Sequence, residues 1–427
     1  MASSRLEEYS NAPVPGHRLV PGWRLALIVA TFSISLPTFL SSASIALPLG
    51  LYGALLAALV AGVVLSVGGC FTSIVSVHSR LTTYLLVQRS FGMTGAALVN
   101  LVIALVHFGW FGVNVSFFAG AMVAAVHDIY GLDANFDVFV VAGSLLIAVS
   151  TIFGFRTLDR LAWVAIPLLS AILIGVCAMA VQRHGLVVEP VPHPPMAMSF
   201  GTAVSAIVGG NILVIAAMPD LSRYVRTTGQ AVQSMTLSLP VALTLMMLVS
   251  AIPALAMGET DIMRMIVDFG FGAPALAMLV LSIWTLNAAN LYSASLSLSA
   301  TFPAIRPWFF TIVGGVAGGA LALAGIISAF VPFLLLLGMI IPPIAAIYVI
   351  DGLTIFRRAD AAESIRNLPP VCWPAVAVWI GSVAVALLAD RGVVTLTTVP
   401  ALDASLVATG AYLLVRRLQL REKSALA

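Results

Sequence analysis

The chain has 427 residues, of which 61% are hydrophobic and only 9% charged, against about 25% charged in soluble domains. Its 20 basic and 17 acidic side chains cannot cover a water-soluble globule of this size, and a net charge of +3 offers no dense basic stripe for nucleic acid. What remains is an all-α integral membrane protein. At roughly 35 residues per span with its loop, the length accommodates about twelve spans.

Residues 1–24 form a polar amino-terminal tail, and the first long apolar run begins only after Arg24, so a cleavable secretory signal is not expected. Apolar runs then fall at about 25–46, 52–75, 95–126, 136–155, 161–182, 198–218, 234–257, 272–298, 309–328, 330–350, 371–389 and 396–415. The third and eighth runs exceed a perpendicular crossing and should tilt or project. The division expected is a ten-helix core over 25–350, a cytoplasmic loop over 351–370, two additional spans over 371–415 and a cytoplasmic tail over 416–427. Cys70, Cys177 and Cys372 lie in apolar stretches without metal-ligand spacing and read as small core residues.

With the amino terminus inside, seventeen Lys and Arg residues fall on the inner side, among them Arg18, Arg80, Arg89, Arg223, Arg357, Arg358 and Arg416. Only Arg183, Arg264 and Arg391 fall outside. That bias places both termini in the cytoplasm and the protein in the inner, cytoplasmic membrane.

Helix-breaking residues interrupt two runs. In the first, Ser33-Ile34-Ser35-Leu36-Pro37-Thr38 sets a proline among hydroxyls at mid-span, where it removes a backbone donor and frees a carbonyl. The sixth contains Gly209-Gly210-Asn211, a poor helix interior that is tolerated at depth where it is buried in protein or lines a cavity. Two breaks five spans apart are the pattern of an inverted repeat with a site between them. Either break alone reads equally as close packing or a simple kink.

The third run carries His107-Phe108-Gly109-Trp110-Phe111-Gly112-Val113-Asn114. At about 100° per residue, His107, Trp110 and Asn114 share an arc of about 60°, an aromatic plate with a polar group one turn to either side. Such a surface suits a flat heteroaromatic ligand, stacked on its face and read along its edge. No Asp, Glu, Lys or Arg lies in the middle of a span, which leaves His107 as the plainly intramembrane titratable group. Asp220, in Met218-Pro219-Asp220-Leu221-Ser222-Arg223, is expected at the cytoplasmic end of span six, pairing with Arg223 or a neighbouring loop.

In the eighth run, Asn287 and Asn290 are amides at bilayer depth, costly if unpaired. Ser282 and Thr285 share a broad face with Ser293, and their oxygens, with carbonyls freed near Ser33 and Pro37, form a candidate site for a small hard cation. The competing reading is that the hydroxyls bond back to their own helix. No HExxH, paired carboxylates or Ser and His at workable helical spacing occur inside the spans, so an enzyme is not expected. Nor is there the repeated filter of a channel.

In family order, Pro13-Val14-Pro15, Leu81-Thr82-Thr83-Tyr84-Leu85-Leu86 with Ser90-Phe91-Gly92, Gly109-Trp110-Phe111-Gly112-Val113, Asp220 with Arg223, Ile283-Trp284-Thr285 with Asn287, and Ile341-Pro342-Pro343 with Asp351 resemble the nucleobase:cation symporter-1 family, and within it the bacterial cytosine permease branch. The resemblance implies a leucine-transporter-like fold of twelve helices, a 5+5 inverted repeat with helices 1 and 6 broken. It implies a secondary active transporter importing a nucleobase such as cytosine by alternating access, coupled to Na+ or H+. A hydroxymethylpyrimidine thiamine precursor, a hydantoin or allantoin is the alternative cargo within the same family.

The roles it implies are stacking by Trp110, polar contact from Asn114, backbone and side-chain contacts at Gly210 and Asn211, and amides and cation ligands from span eight. No cofactor is expected beyond the coupling ion. The expected partners are the small ring and the lipid bilayer, without nucleic acid or an obligate protein. Two residues depart from the family pattern. Asn211 stands where the family usually has a second stacking aromatic, and Leu286 follows Thr285 where sodium-using members have adjacent hydroxyls, which favours protons and His107.

Overall fold

The computed structural model describes residues 14–302, 304–354 and 368–425, with side chains except those of 153–166, 420–425 and six positions within 273–300. Pro13 of the family-like stretch and the loop arginines Arg357, Arg358 and Arg366 lie outside the described residues. In chain order the helices are α1 (Gly22–Ser33), α2 (Leu36–Ser79), α3 (Thr83–Phe91), α4 (Met93–Tyr130), α5 (Phe136–His184), α6 (Phe200–Ala216), α7 (Met218–Ser222), α8 (Thr228–Met257), α9 (Ile262–Asp268), α10 (Gly272–Thr301), α11 (Pro307–Leu323), α12 (Phe330–Thr354), α13 (Trp373–Asp390) and α14 (Pro400–Ala425). Each of the twelve apolar runs falls mainly on these helices, the first of them divided between α1 and α2.

The correspondence is not one helix per span. Span one is α1 followed by residues 36–49 of α2, and span two is residues 51–79 of the same element. The two parts of α2 meet at Gly50, where φ is 70° and ψ is 176°, a conformation open to glycine and strained for other residues. A Cβ at Gly50 would approach the Val188 carbonyl at 2.8 Å. The helical bond lost there is replaced from the loop after α5, since the Leu51 N–H donates to the Val188 carbonyl and the Val191 N–H donates to the Leu47 carbonyl. The fourth and fifth runs both lie in α5. The 38 residues of α4 extend for about 57 Å at 1.5 Å per residue, so span three projects beyond a hydrocarbon core of about 30 Å.

Packing brings early spans against later ones. Spans one and two lie against α6 and α8, whereas α4 and α5 lie against α10 and α11. Small residues let these helices approach. A Cβ at Gly62 would stand 2.6 Å from the Pro240 Cα, and side chains at Gly314 and Gly318 would overlap Phe108 and Phe111, the close-contact packing that joins helices in lipid. Each of these two sets combines spans from both five-span repeats, so the repeats interleave. α12 closes one side by packing on α6, and α13 and α14 flank α12. There Asp351 is almost fully buried and bonded by Arg416 at 2.6 Å and by the Tyr412 hydroxyl at 2.9 Å.

Candidate binding site

Span one breaks beside its proline. α1 ends at Ser33, and Ile34 takes φ −91° and ψ 86°. Ser35 then caps α2, its hydroxyl accepting the Thr38 N–H at 3.4 Å and pairing with the Thr38 hydroxyl at 2.9 Å. Pro37 therefore occupies the first turn of α2, where a missing N–H is no loss. Thr38, Ser41 and Ser42 follow on one helical face. That face lines a narrow cavity with about 20 Å³ of room for the centre of a water-sized sphere.

Span six corrects the expectation placed on Gly209-Gly210-Asn211. α6 runs unbroken through all three residues to Ala216. The glycines serve packing there, because a side chain at Gly209 would overlap the Leu334 carbonyl while Gly210 lies against the Leu334 side chain. The interruption comes at Ala217, with φ −89° and ψ 5°. Its cause is Pro219, which has no N–H to donate to the Ile215 carbonyl one turn back. The Asp220 N–H turns to the Ala217 carbonyl at 3.1 Å, and α7 begins.

The cavity gathers Pro37 and the hydroxyls of span one, Trp110 of span three, Gly210 and Asn211 of span six, Leu243 and Met247 of span seven, and Phe330 and Leu334 of span ten. None of its lining residues is charged, so it suits a neutral ligand, since an unpaired ion would lose its hydration without compensation. Trp110 meets Phe330 at 6.2 Å and Phe333 at 5.5 Å, both edge to face. Asn211 donates to the Ile207 carbonyl at 3.0 Å, which directs one of its amide protons into its own helix and leaves its carbonyl as an acceptor.

Four of the residues singled out in the sequence lie in a polar seam between α4 and α10 and do not line this cavity. His107 bonds the Asn290 side chain, and its Nδ1 has no partner among the described residues. Asn114 donates to the Trp110 carbonyl at 2.9 Å, and Asn287 donates to the Phe111 carbonyl at 3.3 Å. The Oδ1 atoms of both asparagines are buried without a donor. Of the three, only the indole lines the cavity; the imidazole turns to Asn290 of α10 and the Asn114 amide to the backbone of its own helix.

Of the cation candidates, only Pro37 lines the cavity. The Ser33 hydroxyl is buried at the span-one break without a partner. The Thr285 hydroxyl donates to the Ser282 carbonyl at 2.9 Å, so it is satisfied within its own helix. Trp284, beside it, donates to the Ser150 hydroxyl at 3.0 Å and ties α10 to α5.

Sequence reasoning missed Thr38, Ser41, Ser42, Phe330 and Phe333. The first three were open to discovery as hydroxyls one turn apart; the phenylalanines come near Trp110 only through the fold. Beyond the end of α6, Asp220 accepts the Thr83 N–H at 2.9 Å and so caps α3. Burial pushes its carboxyl above the ordinary carboxylate range, against the opposing pull of the Thr83 hydrogen bonds and of Arg223.

Comparison with known proteins completes this picture. Residues 17–414 match the family model described as permeases for cytosine/purines, uracil, thiamine and allantoin. The chain belongs to this family. It is a multi-pass membrane transporter and not an enzyme. It is 28% identical over 379 residues to the cytosine permeases of Escherichia coli strains K12 and O157:H7, covering 87% of each chain.

Among solved structures, the permease resembles the inward-facing conformation of Mhp1 with a TM-score of 0.86 and 18% identity, over 99% of this chain and 96% of that one. A closed form of Mhp1, a nucleobase-cation-symport-1 family transporter with bromovinylhydantoin bound, gives 0.76 and 21% identity over 97% and 96% of the two chains. A Na+-coupled sialic acid symporter gives 0.62 and 14% identity over 94% and 91%. These likenesses establish the leucine-transporter-like fold.

Proposed function

We propose that this permease imports a flat, neutral, nitrogen-rich ring, a nucleobase such as cytosine, across the inner membrane together with a cation, with both termini in the cytoplasm. The observation that carries this reading is the position of Trp110 in an uncharged cavity at the span-one break, beside Asn211 and the Thr38, Ser41 and Ser42 hydroxyls. An indole face stacks on any planar ring, and the amide and hydroxyls supply donors and acceptors for its edge. Identity to cytosine permeases supports cytosine as cargo. Asn211 in place of a second ring favours a more polar ligand, a hydroxymethylpyrimidine, a hydantoin or allantoin, as the second reading.

Transport proceeds by alternating access, in which ring and cation bind at mid-membrane and one set of spans rocks against the other. The coupling cation is Na+ or H+. The free Ser33 hydroxyl supports the first and the buried His107 imidazole the second. The test is uptake of labelled cytosine into proteoliposomes under an imposed sodium gradient or an imposed pH gradient. Saturable uptake driven by one of them and competed by unlabelled ring is expected; uptake indifferent to both gradients overturns the symport reading.

A further inference from the structure

Span ten touches span six at two levels. Near its outer end, Phe330 and Leu334 line the cavity beside Gly210 and Asn211. Fourteen residues beyond Leu334, Tyr348 is fully buried and its hydroxyl donates to the Ala216 carbonyl at 2.7 Å. Ala216 is the last residue of α6. In an unbroken helix its carbonyl would take the Asp220 N–H, which here goes to Ala217. Tyr348 thus caps the carbonyl that the Pro219 interruption leaves open.

Beyond that point, α7 is tied to the cytoplasmic ends of its neighbours. The Ser76 hydroxyl of span two donates to the Pro219 carbonyl at 2.9 Å. Arg80 donates to the carbonyls of Arg223 and Val225 at 2.7 and 2.6 Å, and Val20, just before α1, pairs with the chain at Tyr224 and Arg226. Tyr348 brings span ten into this network.

We infer that Tyr348 is a positioning residue that couples the ring site to α7, the short helix at the end of span six, so that movement of span ten at Phe330 and Leu334 is carried to α7 through the Tyr348–Ala216 bond. This rests on the alternating-access reading of the permease. A proline break makes α7 a separate segment with its own orientation, and a single hydroxyl on α12 sets how that segment meets α6.

The experiment uses the full chain in proteoliposomes, with Cys70, Cys177 and Cys372 replaced by alanine and Ser222→Cys as a reporter on α7, whose side chain is buried. Labelling by an impermeant maleimide from the cytoplasmic face is measured with and without Tyr348→Phe, a change that deletes only the hydroxyl. The expected result is at least fivefold faster labelling, fivefold slower cytosine uptake and cytosine affinity within twofold of the parent. Adding Pro219→Ala restores the donor to the Ile215 carbonyl and lets the helix continue, so that the Asp220 N–H can return to Ala216; labelling should then fall to within twofold of the parent, a non-additive outcome that marks both changes as acting on one break.

Unchanged labelling and uptake in Tyr348→Phe overturn the inference, as does a fivefold loss of affinity with unchanged labelling, which would place Tyr348 at the ring site. Should Tyr348→Phe fail to fold, Pro219→Ala alone decides: slower labelling than the parent is expected, and equal labelling refutes the role of the break. Because labelling is read without substrate, a failure of the ring reading shows separately, as absent cytosine binding in the parent.

Discussion

Trp110 of span three and Phe330 of span ten meet edge to face in the cavity, with ring centroids 6.2 Å apart and planes inclined at 77°. Base stacking on an aromatic side chain contributes about 1–3 kcal/mol, or roughly 5- to 150-fold in affinity. Trp110→Ala should therefore weaken ring binding by about that factor while the protein stays folded, since the indole is only partly buried and lines the cavity. Phe330→Ala should weaken binding by only about three- to tenfold, the worth of an aromatic edge contact. Equilibrium binding alongside size-exclusion profiles checks both, and unchanged affinity in a well-folded Trp110→Ala protein would remove the stacking role.

Neighbouring glycines in α6 should respond differently. A methyl group at Gly209 overlaps the Leu334 backbone carbonyl, whereas at Gly210 it meets only the Leu334 side chain at 3.6 Å. Gly209→Ala is expected to lower the apparent melting temperature by several degrees, as overpacking costs about 1–3 kcal/mol. Gly210→Ala should fold normally and reduce ring affinity by narrowing the cavity. Melting curves of the two variants in the same detergent decide the matter.

Removing the Asp351 carboxylate leaves Arg416, 20% exposed, largely buried without its counter-charge. Breaking such a pair costs about 3–5 kcal/mol, so Asp351→Ala should expose the α12–α14 contact to proteolysis and lower the melting temperature sharply. Asp351→Asn, which keeps an acceptor for the Tyr412 hydroxyl, should lose less. Limited proteolysis followed by mass analysis of the carboxy-terminal fragment reads the difference.

Burial raises the Asp220 carboxyl above its ordinary value, so the folded chain binds this proton more readily than the unfolded one. The sign follows from linkage: the charged form costs stability, the cost grows as pH rises from the unfolded value through the folded one, and it is absent below both. Asp220→Asn keeps an acceptor for the Thr83 N–H. Its melting temperature relative to the parent should therefore be higher at about pH 8 than at about pH 4; a difference independent of pH contradicts the raised value.

The twelve spans were legible because apolar length is a property of the chain alone. The span-one break at Ser33–Ser35 was legible for a similar reason, since hydroxyls and Pro37 are local signals. Gly209 and Gly210 misled: glycine lowers helix propensity, yet the pressure of α12 on α6 made a helix with bare backbone the favoured solution, and the break moved to Pro219, where a donor is missing. His107 and Asn114 share an arc with Trp110 as their spacing requires, but which part of that arc faces the cavity depends on where α10 packs. Phe330 lies 220 residues from Trp110 in the chain, and nothing local connects the two.

The most direct test of a neutral ring held at Trp110 is thermal stabilisation of the purified permease and its Trp110→Ala variant by cytosine, adenine, uracil, hydroxymethylpyrimidine, hydantoin and allantoin, each with and without sodium. A ligand at about 100 times its dissociation constant adds about 2.7 kcal/mol to the folded state, which moves a melting curve by several degrees. The expected result is a shift with at least one ring in the parent protein and a smaller one in Trp110→Ala, with growth of that shift in sodium identifying the coupling ion. No shift with any ring, or an equal shift in Trp110→Ala, would contradict the assignment of this cavity.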